Sequence, residues 1–266
     1  MTSLIESARR CLAAAEAIEK VALTHQAASS FDREVWTAIE NDLPAEAIFP
    51  PGRPDRLRLV PARELAHRGL GSTEGLAAFL HAIAHIEFNA INLAWDAVYR
   101  FRGMPETFYR DWVRVADDEA RHFSLLSGRL AELGYAYGDF PAHNGLWEMA
   151  ERTAHSCLAR MALVPRVLEA RGLDVTPGMI AKLRALGDTA SVAILETILR
   201  EEIAHVAAGS RWFAWCCRRE GREPEQTFLD LLDQVAPGAL RGPYNLEARR
   251  AAGFGETELA RLAGMA

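Results

Sequence analysis

The chain has 266 residues, 50% of them hydrophobic and 25% charged, with a formal net charge of −6. That is enough apolar length for a sizeable core, and the modest use of glycine and proline (19 and 12 residues) excludes a disordered or fibrous chain. No run approaches ~18 uncharged apolar residues, which argues against a membrane span, and the acidic balance without a basic run argues against a nucleic-acid partner.

Residues 1 to about 40 carry helical periodicity through Leu12, Ala15, Ile18 and Ala22. The opening MTSLIESARR lacks the apolar core and cleavage site of a signal peptide and reads as the start of a helix. From Asn41 to Gly71, Pro44, Pro50, Pro51, Pro54 and Pro61 forbid a long helix. This stretch is predicted to be an extended connector laid over the domain.

Four long helical patterns follow. The first opens at the N-cap Ser72 and runs to about Arg102, where Gly103 stops it; the second starts near Pro105 and ends before Gly134. After the loop GYAYGDFPAHNG, the third runs from near Leu146 through Ala170, kinked at Pro165. DVTPG is read as a break and MIAKLRAL as a short helical piece. The fourth opens at Asp188 and runs to Glu220, closed by Gly221. Two short amphipathic helices and a PGALRGPYN loop are expected between Arg222 and Ala266. No strand alternation is present, so the predicted class is all-α: a four-helix bundle over 72–221, with a helical and proline-rich extension over 1–71 and short helices over 222–266.

Charge then turns up where core should be. In the second helix Trp112, Val115, Glu119, His122, Leu126 and Leu133 follow the spacing of a buried seam. The fourth helix repeats this with Leu195, Ile198, Glu202, His205, Gly209 and Trp212. An i, i+3 pair lies about 60° apart around a helix, so each Glu and His point at the same place. Glu-x-x-His alone is a weak pattern: a third copy, Glu64 to His67, lies in the connector with no apolar seam and is read as a surface accident. Context decides. In the first helix Glu87 lies in line with the seam Leu76, Leu80, Ile83, Ile91, Ala94 and Val98. Glu87 precedes Glu119 by 32 residues, and Glu169 precedes Glu202 by 33. Each half therefore reads Glu, one helical hairpin, then Glu-x-x-His.

Two such hairpins would bring Glu87, Glu119, His122, Glu169, Glu202 and His205 to one level. That donor set is the one carboxylate-bridged di-iron and di-manganese bundles use. Four carboxylates balance two divalent ions, and oxygen ligands with one imidazole per metal suit iron first and manganese second. Because Gly172 follows Glu169 closely, the third helix must either bend past it or supply this ligand from a terminal turn. His81 and His85 are expected to be core or interface histidines, since His85 lies across the helix from Glu87. His155 and Glu151 are read on the face of Glu169, with Arg166 nearer, and could line a substrate channel. Cys11, Cys157, Cys216 and Cys217 form no C-x-x-C pair and no zinc spacing, so a reduced cytoplasm is the expected setting. The adjacent Cys216 and Cys217 are not both expected to face inward.

The segments HAIAHIEFNAINLAWDAVYRF, DEARHF, RMALVPRVLEARGLDVTP and EEIAHV, with the lead-in RLVPARELAHRGLGS, resemble the bacterial ferritin-like family of unknown function, over residues 70 to 221 or so. More distantly, Glu169-Ala-Arg followed by Glu202-x-x-His205 is similar to the tRNA-modifying di-iron hydroxylases. Asp118 and Glu201, each just before a ligand Glu, resemble the carboxylates that hold ligand histidines in bacterial multicomponent monooxygenases; solvated helix charge is the equal alternative. The resemblance implies a ferritin-like fold and no particular reaction; the six-ligand donor set leads to the first reading, an O2-activating oxidoreductase that acts on an organic small molecule with an external electron donor. Two rivals stand beside it. One is a peroxide- or iron-handling protein, manganese-catalase-like or ferroxidase. The other is a non-enzymatic binding bundle whose buried charges pair with Arg160 and Arg166. A homodimer is compatible with the long extensions; a membrane or tRNA partner is not expected.

Overall fold

The computed structural model describes residues 3–32, 45–46, 50–65, 69–235, 238 and 242–264. Among them the protein is all-helical. The sole strand-like feature is an isolated parallel bridge between Leu59 and Ala142. The chain divides into two compact units, Met1–Glu148 and Met149–Ala266.

The first unit is built on a hairpin of α3 (Thr73–Arg100) and α4 (Glu106–Glu132). Ser72 caps α3 by accepting the Gly75 N–H through its hydroxyl at 3.1 Å. α3 is long and apolar enough to cross a membrane by length and composition, which the raw run of uncharged residues did not suggest, but 72% of its most apolar window is buried inside the fold. α1 (Leu4–Ala13) and α2 (Ala17–Asp32) cover the hairpin, α1 against α3 and α2 against α4. The segment expected to be one helix to about residue 40 is thus two, broken at Ala14–Glu16, and residues 33–40 lie outside the described ones. Where described, the connector holds no α-helix, only a single 3-10 turn at Ala62–Glu64, and it is tied down. Gly52 N–H donates to the Leu12 carbonyl at 2.8 Å, and Val60 N–H to Ala142 at 2.8 Å.

α5 (Gly145–Arg152) leads into the second unit. The third helix is not continuous: it breaks between Arg152 and Cys157, where Ser156 caps α6 (Cys157–Leu163). Arg160 closes the break, donating to Thr153 Oγ1 at 2.8 Å and to the Ala150 carbonyl at 2.6 Å. After α6 comes a π-turn, Val164–Glu169, in which Ala170 N–H bonds to the Pro165 carbonyl. Proline at 165 cannot donate to the carbonyl four residues back, and the ladder opens to the wider i→i+5 pattern there. The helix then continues as α7 (Ala170–Ala185) straight through Gly172 and Pro177. DVTPG is therefore helical: the buried positions Leu173, Thr176, Ile180 and Leu183 of α7, which packs on α8, override the local breakers.

α8 (Thr189–Glu220) runs as expected from the Asp188 cap to Gly221, which adopts a left-handed φ of 65°. Among the described residues of the tail there are three helices where two were expected: α9 (Pro224–Val235), α10 (Leu246–Ala251) and α11 (Glu256–Gly264). Phe254, Leu259 and Leu262 pack with Ala170, Leu173 and Val206 in one apolar cluster.

Candidate metal centre

In the first unit Glu87, Glu119 and His122 all lie on the buried faces of α3 and α4. Trp112, Val115 and Leu126 of the same α4 seam are buried around them, although Leu133 is only partly so. His122 Nδ1 stands 3.3 Å from Glu87 Oε2 and 3.3 Å from Glu119 Oε2. The side chains of Glu119 and His122 are fully shielded from solvent, and that of Glu87 almost so.

Burial, reinforced by the neighbouring Glu119 carboxylate, pushes the Glu87 carboxyl well above its usual range. For His122, burial pulls the imidazole down. The hydrogen bonds and charges of Glu119 and Glu87 outweigh it and raise the group to about 11. In this unit protons held by His122 and Glu87 offset charge that a cation among the three side chains would balance. The geometry fits such a cation. Ligands about 2.0–2.2 Å from a shared ion, at tetrahedral or octahedral angles, lie about 3.0–3.5 Å apart; a direct charged hydrogen bond is shorter, at about 2.7–2.9 Å. The 3.3 Å spacings fall in the first range.

The second unit holds the repeated motif. Glu202 and His205 are buried on α8 with Leu195, Ile198, Gly209 and Trp212, and His205 Nδ1 is 3.3 Å from Glu202 Oε1. Glu169 is half-buried and closes the π-turn. Because the helix continues through Gly172, Glu169 does not sit at a helix end.

The flanking candidates separate. Asp118 pairs with Arg121 at 2.9 Å and is partly exposed. Glu201 lies 3.6 Å from Arg200. His155 is exposed in the turn between α5 and α6, as Glu151 is on α5, so the expected helical face shared with Glu169 does not exist. Arg166 is buried, and its terminal nitrogen reaches both Glu258 oxygens, at 2.7 and 2.9 Å. Glu258 escaped the sequence reading, which had no periodic or motif signal linking residues 92 apart. Glu64 is exposed, and His67 lies outside the described residues.

His81 and His85 are buried core histidines on the other side of α3. His85 Nε2 donates to the His143 carbonyl at 3.1 Å, and Tyr137 donates its hydroxyl to Nδ1 at 2.8 Å. Gly138 N–H donates to His81 Nε2 at 2.9 Å. Burial pulls both imidazoles down to about 4. His85 also borders an apolar cavity of about 330 Å³ with Phe79, Ala82 and Ile86. Cys216 and Cys217 are both buried, contrary to expectation; α8 packs against both α6 and α9, and the Cys216 thiol hydrogen-bonds with that of Cys157 at the start of α6.

The family model described as "Protein of unknown function (DUF455)" matches residues 13–260. An uncharacterized protein of Haemophilus influenzae is 48% identical over 213 residues, 77% of this chain and 74% of the relative. No solved structure matches. With a family model spanning nearly its whole length, the chain belongs to the DUF455 family of proteins of unknown function.

Proposed function

We propose that the protein is a ferritin-like dinuclear metalloprotein, with iron as its metal, that activates O2 to oxidise or hydroxylate an organic small molecule. The observation that carries this reading is His122 held between Glu87 and Glu119 at 3.3 Å in a solvent-free seam. Buried charge of this kind is costly unless it serves a cation. The sequence repeat extends it: Glu169, Glu202 and His205 are the same donors at nearly the same spacing, Glu169 preceding Glu202 by 33 residues where Glu87 precedes Glu119 by 32. Each half supplies two carboxylates and one imidazole, the set for one ion of a carboxylate-bridged pair.

Glu87, Glu119 and His122 would hold one ion and Glu169, Glu202 and His205 the other; when bound, ferrous iron there would supply electrons for O2 reduction. The chain's own residues set the conditions. Four carboxylates neutralise the added charge, and His122 gives up its proton to become a ligand. The buried side chains of Trp112, Val115, Leu195 and Ile198 keep water away. A hydroxylation would take one oxygen atom into the substrate and release the other as water, with two electrons and two protons from an external donor.

The test is O2 uptake by the iron-loaded full chain with a chemical reductant and a panel of small organic substrates. Substrate-dependent uptake with oxygen incorporated from 18O2 supports the reading. Rapid decomposition of hydrogen peroxide by the manganese-loaded chain, with no substrate-dependent uptake, would replace it with a peroxide-handling function.

A further inference from the structure

The π-turn that carries Glu169 is held from outside by the C-terminal extension, through one side chain. Arg166 is the third residue of the turn, three before Glu169. Its guanidinium is buried and ringed by Phe213 of α8, Phe228 of α9 and Phe254 before α11, whose centroids lie 4.9, 4.5 and 4.6 Å away. Glu258 of α11 closes the cage with one guanidinium nitrogen on both carboxylate oxygens. Glu258 is itself fixed, accepting the Gly255 N–H at 2.8 Å. The opposite side of the turn is closed by Pro165, which fits where α8 has Gly209.

A π-turn inserts one residue into a helix and so rotates everything after it relative to everything before it. It carries poorer hydrogen bonding than the α-helix and persists where surroundings enforce it. Here one wall is Gly209 and the other is the Arg166 cage. Burying an ion pair adds little or nothing to stability compared with apolar residues of the same volume. What the pair does supply is an anchor, because a charged hydrogen bond from one guanidinium nitrogen to the Glu258 carboxylate ties the ringed side chain to α11.

We propose that Arg166 and Glu258 are positioning residues: together they latch the C-terminal extension to the π-turn and thereby set where Glu169 presents its carboxylate. This rests on the metal reading for its consequence but not for its first observable. It gives the extension over 222–266 a definite task within its own unit.

The test replaces both partners with methionine in the full-length chain (Arg166→Met with Glu258→Met), so that no buried charge is left unpaired. Arg166→Lys serves as a second variant should the pair fail to fold. Amide exchange at residues 166–170 is expected to quicken about tenfold or more while α6 and α8 keep their protection. Manganese(II) titration is then expected to show the second equivalent bound about 10- to 100-fold more weakly, the effect also expected of Glu169→Gln. Unchanged exchange at 166–170 would overturn the proposal. So would faster exchange with both equivalents still bound as tightly as in the parent chain, which marks a packing role only. If the parent chain binds no manganese or iron while exchange responds as described, the metal reading fails and the latch stands.

Discussion

Pro165 fills the space that a side chain on Gly209 would need. A Cβ on Gly209 would overlap the Pro165 ring carbons, so the second unit's π-turn approaches α8 as closely as it does only because residue 209 has no side chain. Gly209 lies one helical turn beyond His205 on the same buried face. Gly209→Ala should therefore destabilise the protein by about 1–3 kcal/mol through overpacking, although alanine is the better helix former. Urea denaturation measures it, and an unchanged or raised midpoint would contradict the close approach.

Asp174 and Arg249 form a buried pair in the same unit. The guanidinium Nε is 2.9 Å from Oδ1 and a terminal nitrogen 2.7 Å from Oδ2, and both side chains are almost wholly shielded. Asp174 also accepts the Asn245 N–H at 2.9 Å. Asp174→Ala would strand a buried cation and a backbone donor, at a cost of about 3–5 kcal/mol. Replacing both, Asp174→Leu with Arg249→Met, should cost much less. A thermal-unfolding cycle over the four proteins reads the difference.

Lys20 gives a pH dependence with a definite sign. Its ammonium is wholly buried in the first unit, donating to the Cys11 carbonyl at 2.6 Å and the Leu12 carbonyl at 3.1 Å at the end of α1. Burial pulls the amine from 10.5 down to about 7. Between those values the unfolded chain binds more protons than the folded one, so this group's contribution to stability rises as pH rises through the window and is flat below it. A neutral amine still has two N–H groups for its two carbonyls. The unfolding free energy of the parent chain, relative to Lys20→Met, should therefore climb from pH 7 towards 10.5. A falling difference over that range would show that Lys20 is held as a cation by the carbonyls instead.

The helices were legible wherever local chemistry and burial agree. Ser72, Asp188 and Gly221 mark their ends because caps act within a turn, and Glu119 and His122 stood out because the seam period is indifferent to charge. The stretch from Leu146 to Leu186 was not legible for the opposite reason. There Gly172 and Pro177 say stop, while Leu173, Thr176, Ile180 and Leu183 form a buried stripe whose packing prevails. The break at Thr153–Ser156 was hidden because Arg160 satisfies it from the next helix. Glu258 was invisible since its meaning depends on Arg166, far away in sequence, and on three rings from three separate segments.

The proposed function depends on the buried carboxylates and imidazoles holding metal. Anaerobic iron(II) titration of the chelator-treated full-length protein, with bound metal counted after desalting, tests it most directly. The account predicts about two ions per chain, and clear loss of binding in the Glu119→Ala and Glu202→Ala variants. Less than about one ion per chain in the parent protein, with both variants as stable as it is, would contradict it.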